Sequence, residues 1–513
     1  MDILFSIFDN LHDDEVEFKT LQSARLVCSI FNRLASPLLC PILEVQLDQT
    51  SLDLADKISR SPLIAAGVRS IHVVLHYRPR ELAEDPIRYK NQRKKDIGEM
   101  IRSCDYFAET WFLGGYDDDD ETVCEQPLRV YNKAMDDYWA MTSAWDGCFL
   151  QPDVAAMDED TLRYREILRR GYEEYRRKHE EQFRLVMDRT FVETLASAIS
   201  RMGNCTSLRI VVETSGVSFL NPYSSDPTRM STNPEELPRL MVNPFDWRTI
   251  EELEGGAELL PAKIHSELPI AIQKTGAAMP AINLDCFPTT NNYSMIRPDR
   301  PGRSPAWPDL RSACQHLTEF GVNGNCQPIR CRHLLPEEQA PIYEYFSAIL
   351  SGQNIEVVDL DFYVFKLNDG GKAEAQGLYR IGAILATVNW PRIKELRISH
   401  VSLLQGELEA FCRGLDGGRI NVVYFYDVEV LGRSWAEALD ILRERVASRC
   451  LDGKCKVYFS DFTGGEFGKK KKKRRGWSRF TESSEESDEE EKLIVAQAQS
   501  YVSGVGLQNP LRG

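Results

Sequence analysis

The most informative six residues of this chain are Ile393-Lys394-Glu395-Leu396-Arg397-Ile398, in which an apolar residue is followed by two more, three and five positions later. Six further matches to this triple are Val68/Ile71/Val73, Cys205/Leu208/Ile210, Met279/Ile282/Leu284, Leu317/Phe320/Val322, Ile355/Val358/Leu360 and Ile420/Val423/Phe425. A chain that is 42% apolar matches the triple by chance at roughly one position in 13. The even spacing is therefore the informative part: the triples that begin at 279, 317, 355 and 393 are each 38 residues apart.

This spacing predicts an α/β fold in which strand and helix units stack along the chain. One such unit cannot bury its apolar side alone, so neighbouring units share a continuous core and their strands run parallel. The region resembles an irregular leucine-rich-repeat-like solenoid, with longer units and without the Asn ladder position. We expect Val358 and Leu360 to lie directly beside Leu396 and Ile398 on adjacent strands.

A second pattern lies at the N-terminus and has the spacing of helices. One apolar group is Leu4, Ile7, Phe8 and Leu11, and a second is Leu21, Ala24, Val27, Cys28, Phe31 and Leu34. Steps of three and one place each group on one face of a helix. The acidic stretch 12–15 joins the two predicted helices. About 30 residues with two apolar stripes are too few for a large core of their own.

These N-terminal residues resemble an F-box. The resemblance rests on Ile3-Leu4-Phe5-Ser6-Ile7-Phe8-Asp9-Asn10-Leu11 and on Leu26-Val27-Cys28-Ser29-Ile30-Phe31-Asn32-Arg33-Leu34-Ala35. It implies that residues 1–40 bind a Skp-type adaptor of a cullin ubiquitin ligase and that the rest of the chain holds an unknown protein target. The implied adaptor contacts are Leu4, Ile7, Phe8, Leu11, Val27, Cys28 and Phe31.

The resemblance includes one departure and one extension. Asp2 aligns with the acidic residue of the family's opening, so the family's Leu-Pro pair would fall just before Met1. The resemblance then implies either that the chain begins late in its F-box or that the first turn is missing. We expect weaker adaptor binding where that pair is missing, because the Pro fixes a helix start. The segments 389–398, 408–411, 427–430 and 434–442 resemble the repeat region of F-box proteins from filamentous fungi.

The predicted organisation has five parts. They are an F-box-like helical unit (1–40), a linker with the first solenoid strand (41–77), a helical insertion with an acidic loop and a long helix (78–202), the irregular solenoid (203–462) and a disordered basic and acidic tail (463–513). In the insertion, 117–121 is an acidic run that we expect to be a solvated loop. Residues 158–202 give the longest helical signal, with Gly171 as its weak point.

Bulk composition excludes several classes of protein. The net charge of −16 argues against a general nucleic-acid binder, although a local basic patch remains compatible with one. No apolar run approaches ~18 residues, which predicts no membrane span. Residues 1–5 lack a basic region and a cleavage site, which predicts no signal peptide. Thirteen cysteines without a framework indicate reduced thiols inside the cell.

The sequence favours a protein that is not an enzyme and carries no cofactor. The sequence contains no phosphate loop, nucleophile elbow or H-E-x-x-H motif. The best metal candidate is Cys314, His316, Cys326, Cys331 and His333, five ligand types within 20 residues. The gaps between them are looser than those of a zinc finger, so we interpret them as loop or core residues rather than a metal site.

The tail carries two charged blocks. Lys469, Lys470, Lys471, Lys472, Lys473, Arg474 and Arg475 form an uninterrupted basic run. Such a run suits an importin groove, which favours the nucleus over the cytoplasm, or an anionic surface, or it is a solvated tail without a reader. Ser483 and Ser487 each precede an acidic residue by three positions and are candidate phosphorylation sites. Phosphorylation would add negative charge that could draw the acidic block onto the basic run and mask it.

Three functional hypotheses follow. The first is a substrate-receptor subunit of a cullin-type ligase. The second is a repeat scaffold without a ligase, in which the N-terminal helices only cap the solenoid. The third is an enzyme whose Cys/His cluster holds zinc.

Overall fold

A computed structural model of the 513-residue chain describes residues 15–113, 136–150, 157–211, 241–245, 247–251, 253–288, 292–299, 306–323, 336–363, 367–368, 376–432, 434–467 and 485–512. Within these residues, ten strands form one sheet, in which nine lie side by side in the order in which they occur along the chain and a tenth, short strand pairs with one of them. All of the pairs in this sheet are parallel. The predicted α/β class with a parallel sheet is confirmed.

The strand order follows the chain order. The strands of the sheet are β1 (Ile42–Gln46), β2 (Ser70–Val74), β3 (Ser207–Val211), β4 (Ala281–Leu284), β5 (Glu319–Val322), β6 (Val357–Asp361), β9 (Tyr379–Arg380), β10 (Glu395–Leu404), β11 (Val422–Leu431) and β12 (Lys456–Ser460). A separate antiparallel pair consists of β7 (Leu367–Asn368) and β8 (Gln376–Gly377).

Helices connect the strands and contact one another in chain order. Those named in the structure are α1 (Glu15–Ala24), α2 (Ser29–Ala35), α3 (Gln49–Ser59), α4 (Pro62–Ala65), α5 (Arg80–Glu84), α6 (Pro86–Leu113), α7 (Glu159–Met187), α8 (Thr190–Ser200), α9 (Trp247–Glu251), α10 (Ile264–Lys274), α11 (Trp307–Ala313), α12 (Pro336–Ile349), α13 (Gly382–Leu385), α14 (Gln405–Gly414), α15 (Ala436–Leu451) and α16 (Glu485–Val502). Contacts run from α3 to α8, α10, α11, α12, α13, α14, α15 and α16 in turn. The core lies between this helix layer and the sheet.

The inward face of each strand carries the apolar residues of the repeated triple. Leu396 pairs with Val358 and Ile398 pairs with Leu360, as the 38-residue spacing predicts. All four side chains are buried. The last two residues of all seven triples lie in register from β2 to β6, β10 and β11. The same alternation extends the sheet to β1 with Leu43 and to β12 with Val457.

Six strands of the sheet (β2, β3, β5, β6, β10 and β11) begin with the same pair of backbone hydrogen bonds. The amides of Thr318 and Glu319 both donate to the carbonyl of Pro280, and those of Lys394 and Glu395 both donate to the carbonyl of Glu356. The arrangement recurs at β2, where the amides of Arg69 and Ser70 donate to Pro41. An unpaired buried amide is costly, so this recurring bond fixes where each of these strands starts.

The long helical signal at 158–202 is divided into two helices, which corrects the prediction of its weak point. The helix α7 ends at Met187, and the chain breaks at Asp188 and at Arg189, which has φ 60°. Gly171 instead lies inside α7, where an added Cβ would come within 2.7 Å of Met241 Cβ. The glycine therefore permits close packing, and the left-handed residue turns the chain. The acidic run 117–121 lies outside the described residues.

The prediction of one continuous second helix at the N-terminus is also wrong. The helix α1 ends at Ala24, and α2 begins after Cys28, whose backbone is extended (φ −161°, ψ 168°). The Cys28 sulfur accepts a hydrogen bond from the Phe31 amide at 3.5 Å and so caps α2. Glu15, expected in a linker, is already helical. The apolar spacing continues through the break, which is why the sequence does not reveal it.

The expectation of a disordered tail is wrong for residues 463–467, where Thr463 and Phe467 are buried, and for residues 485–512. The helix α16 packs against α15 and β12 and buries Val495, Ala498 and Val502. Gln499 accepts a hydrogen bond from the Phe459 amide on the edge strand at 2.9 Å. The charged blocks of the tail predict disorder, although the apolar residues that follow the acidic block have helical spacing.

Among the described residues, every helix is too short or too polar to cross a lipid bilayer.

Candidate functional site

The first candidate surface is the N-terminal helical unit, α1, α2 and the 3-10 turn Ser36–Leu38. The unit has a small core of its own, built on Leu21 and Ala35 with Phe31 and Leu34 packed against them. It also exposes large apolar side chains close together in sequence. Leu26 is 79% exposed, Val27 is 69% exposed and Ile30 is 41% exposed. We call these three residues the apolar knuckle.

The unit is held tightly against the start of the sheet. An added Cβ on Gly67 would lie 1.7 Å from the carbonyl oxygen of Pro37, so only a glycine allows this approach. The Pro41 carbonyl accepts the first two hydrogen bonds of β2. The apolar knuckle is therefore presented at a fixed place beside the first strands.

The sequence-predicted adaptor contacts fall into three groups. Leu4, Ile7, Phe8 and Leu11 lie outside the described residues. Val27 and Cys28 are exposed. Phe31 is partly buried in the core of the unit, so its role is to pack the two helices. Leu26 and Ile30 belong to the exposed apolar surface but are not among the predicted adaptor contacts. The reason is that a continuous helix through residues 25–28 would place both side chains away from the predicted apolar face.

The predicted tail sites are mostly outside the described residues. This holds for Lys469 through Arg475 and for Ser483. Ser487 lies near the start of α16. An added phosphate near a helix N-terminus is stabilised by the helix dipole.

The Cys/His cluster is not assembled by the residues that the structure describes. Cys314 is fully buried in the core, and its burial raises the pKa of its thiol to about 12. A neutral buried thiol is a poor metal ligand, because the thiolate is the form that binds metal. Cys326, Cys331 and His333 lie outside the described residues. Within the described part of the chain, no group of three His, Cys, Asp or Glu residues is arranged to hold a metal.

The second candidate surface is the outward face of the sheet. Strand register aligns one side chain from each strand in a central row. From β1 to β12, omitting β9, the row reads Glu44, His72, Arg209, Asn283, Gly321, Asp359, Arg397, Tyr424 and Tyr458. The row is polar where the inward face is apolar, and it becomes aromatic at the C-terminal end.

Ion pairs order the polar part of this row. Arg209 contacts Asp285 at 2.6 Å, and Arg397 contacts Asp359 at 3.6 Å. Burial, assisted by the positive charge of Arg209, lowers the pKa of His72, so that residue is held neutral to a lower pH than a free histidine. Arg397 keeps 45% and Asp359 keeps 48% of their side-chain surface exposed. Both remain available to a ligand.

Next to the central row, toward the C-terminal ends of β10, β11 and β12, three residues have a left-handed backbone conformation. We call these three residues the left-handed ladder. His400, Asp427 and Asp461 have φ of 58°, 49° and 54° and follow the aligned residues Ser399, Tyr426 and Ser460. A positive φ is uncommon outside glycine, and three on adjacent strands form one built feature. In β10 and β11 the left-handed residue shifts the inward alternation by one position in both strands at once, since pairing resumes in the same register at Val401 and Val428, which are buried.

His400 fixes the geometry of this ladder. It is 9% exposed, and its Nδ1 lies 2.6 Å from Asp361 Oδ1 while its Nε2 lies 3.9 Å from Asp427 Oδ2. The ring packs edge-on against Tyr363 and Tyr426, with centroids 4.9 and 5.1 Å away. Two carboxylates and two aromatic rings are thereby held around one imidazole.

Sequence reasoning missed this face, although a signal was present. Seven of the nine residues of the central row lie between the last two apolar residues of a triple, as Arg397 does between Leu396 and Ile398. Aligning the seven triples would have displayed the central row. The sequence contains no such signal for the left-handed ladder. The left-handed backbone at His400 and Asp427 shifts the alternation of inward and outward side chains by one residue, and this shift is not visible in the triples.

No family model matches this chain, and neither the curated proteins nor the solved structures contain a match to it.

Proposed function

We propose that this chain is a substrate-receptor subunit of a cullin-type ubiquitin ligase, with an F-box-like unit that binds a Skp-type adaptor. The observation that carries the proposal is the apolar knuckle, Leu26, Val27 and Ile30, on a small unit with its own core. Contiguous exposed apolar side chains mark interaction sites more often than isolated ones do. The likeness of residues 3–35 to an F-box agrees with this position.

The remainder of the chain is proposed to be a leucine-rich-repeat-like solenoid that holds a protein target. Chain-ordered parallel strands, neighbouring helices and the 38-residue spacing support this interpretation. Such a receptor performs no covalent chemistry and needs no cofactor. It raises the local concentration of a target lysine near the charged conjugating enzyme, which is a proximity effect.

A binding measurement with one matched pair of variants tests the adaptor interface. Val27→Asp places a charge on the apolar knuckle, and we expect it to weaken binding to a purified Skp-type adaptor by about tenfold or more. Leu451→Asp makes a comparable change at another side chain, 65% exposed at the end of α15, and should leave adaptor binding unchanged. Because both positions are exposed, the fold should tolerate either change. Wild-type protein that does not bind the adaptor at micromolar concentration contradicts the proposal.

A second candidate is a repeat scaffold without a ligase, and one contact favours it. The close approach of Pro37 to Gly67 fastens the N-terminal unit over the first strand of the sheet, as a solenoid cap requires. In that case the apolar knuckle would not bind an adaptor, and the variant pair above would behave identically.

We further propose that the protein works in the nucleus. The seven-residue run Lys469–Arg475 supports this proposal, since a run of this length suits an importin groove.

A further inference from the structure

The C-terminal end of the outward sheet face combines tyrosines with aspartates. We define the tyrosine–aspartate face as Tyr424, Tyr426, Tyr458, Asp361, Asp427 and Asp461. The register places Tyr424 beside Tyr458 and Tyr426 beside Ser460, on the adjacent strands β11 and β12. Tyr458 is 45% exposed and Asp461 is exposed, Tyr424, Tyr426 and Asp361 are half-buried, and Asp427 is buried, so solvent reaches the face from its β12 side.

Charge on this face converges on one residue. Burial first, and then the negative charges of Asp461, Asp427 and Asp361, raise the pKa of Tyr426. Three carboxylates, two on β6 and β11 and one directly after β12, therefore act on a single phenol. The His400 contact to Asp361 keeps one of these carboxylates in place. The three carboxylates would attract a cation, and Arg397, which the register places beside Tyr424, is itself paired with Asp359 and Glu395.

The tyrosine rings suit a flat cation. Tyr424 and Tyr426 lie 6.5 Å apart and 24° from parallel, and Tyr424 and Tyr458 lie 6.3 Å apart. A guanidinium located between two such rings would be within the range of about 6 Å in which a cation is attracted to an aromatic face. Arginine fits this arrangement better than lysine, because its planar group stacks and pairs with carboxylates in two places.

The spacing of the strands suits a ligand with the shape of an extended peptide. Neighbouring strands are about 4.8 Å apart, and alternate side chains of an extended peptide are about 6.8 Å apart. A peptide that crosses β10, β11 and β12 would thus present two basic side chains to the face. A single metal ion fits less well, since no group of three acidic side chains in the described part of the chain is arranged to hold one.

We infer that the tyrosine–aspartate face binds an extended, arginine-containing segment of the target protein. This inference rests on the proposed substrate-receptor function and names the chemical class of its target. The net charge of −16 would also attract a basic partner over a longer range.

Fluorescence anisotropy with the full chain tests the inference. The probe is a labelled nine-residue peptide of alternating serine and arginine, compared with peptides in which lysine or glutamate replaces arginine. We expect the arginine peptide to bind most tightly and the glutamate peptide to show no binding. Binding should weaken as salt is added.

The variant Tyr458→Ala with Asp461→Asn should lower the affinity for the arginine peptide by about tenfold or more. Asparagine tolerates the left-handed backbone at this position, so the change removes the charge without strain. The control is Glu44→Gln, which removes one carboxylate from the same sheet face at its opposite edge. It should leave the affinity within about twofold, because the distance exceeds the Debye length.

Several results would overturn the inference. Two of them concern the peptides and the variants: equal binding of the arginine and glutamate peptides, or equal losses of affinity in the two variants. Three would point to another occupant of the face: tighter binding of a single-stranded oligonucleotide, self-association that the double variant abolishes, or peptide binding that appears only after Lys469–Arg475 are replaced by glutamine. Failure of the adaptor proposal is distinguishable. In that case Val27→Asp would bind the peptide normally and the wild-type chain would bind no adaptor.

Discussion

Leu396 is fully buried on β10, between Val358 on β6 and Val423 on β11. Truncating it to alanine removes packing from both neighbours, and we expect a loss of about 2–5 kcal/mol in the free energy of unfolding. Arg397, the next residue, faces outward with exposed ion pairs, and Arg397→Ala should change stability by no more than about 0.5 kcal/mol. The midpoint of denaturant unfolding measures both. Equal losses would show that the inward and outward faces are wrongly assigned.

His265 provides a prediction of pH dependence. It is 1% exposed, with Nε2 2.9 Å from the Cys286 carbonyl and Nδ1 3.2 Å from that of Ala262. Burial lowers its pKa to about 4, although both carbonyls favour the charged form. The unfolded chain takes up this proton near pH 6.5, so protonation favours unfolding between these values.

The free energy of unfolding should therefore fall by up to about 3 kcal/mol through this one residue as the pH drops from about 6.5 to about 4. The His265→Gln variant keeps a hydrogen-bond donor but cannot titrate, so its stability should change less over the same range. His72 and His179 also have pKa values lowered chiefly by burial and contribute slope in both proteins. Identical slopes in wild type and variant would mean that His265 is not buried as described.

At the scale of elements, α16 closes the edge strand β12. Edge strands present unpaired backbone groups that invite aggregation unless they are covered. Ala498 on α16 is fully buried and Ala496 on the same helix is exposed. We expect Ala498→Asp to detach α16, because it buries a charge, whereas Ala496→Asp should be tolerated.

Hydrogen exchange measures this difference between the two variants. Amides in Lys456–Ser460 and Glu485–Val502 should lose protection in Ala498→Asp and keep it in Ala496→Asp. Slow exchange retained by both variants would indicate that α16 does not depend on its contact with β12.

The elements differ in how far their sequence determines them. The repeated triples predict seven strands and their pairing, because the burial of alternate residues leaves a direct trace in the apolar pattern. The breaks at Cys28 and Arg189 were not predictable from that pattern, since each depends on the local backbone while the apolar spacing continues. The helix α16 was not predicted, because the acidic residues at its start indicated disorder. Its docking depends on contacts with α15 and β12, which no local pattern contains.

The site shows the same division. An exposed Val27 and Cys28 could be selected from the motif, but Leu26 and Ile30 required the position of the break. The outward row could have been read from the triples. The arrangement of Asp361, His400 and Asp427 could not, because the left-handed backbone at His400 and Asp427 shifts the alternation just beyond the triples.

At the scale of the whole molecule, the basic run decides where the protein works if the nuclear proposal is right. Replacing Lys469 through Arg475 with glutamine should move a tagged protein toward the cytoplasm, since the importin groove recognises the consecutive positive charges. Fluorescence microscopy measures the ratio of nuclear to cytoplasmic signal. Replacing Ser483 and Ser487 with aspartate should shift it the same way if the acidic block masks the run. An unchanged ratio in the glutamine variant would show that another signal dominates.

Affinity purification of the full chain from its native cell, followed by mass spectrometry, tests the proposed receptor function most directly. The comparison is with the double variant Leu26→Asp, Val27→Asp, which alters the apolar knuckle and leaves the sheet intact. We predict that the wild type recovers a Skp-type adaptor, a cullin and a target protein, and that the double variant loses the adaptor and the cullin but keeps the target. A wild-type chain that recovers neither adaptor nor cullin, or a double variant that recovers both at the wild-type level, would contradict it.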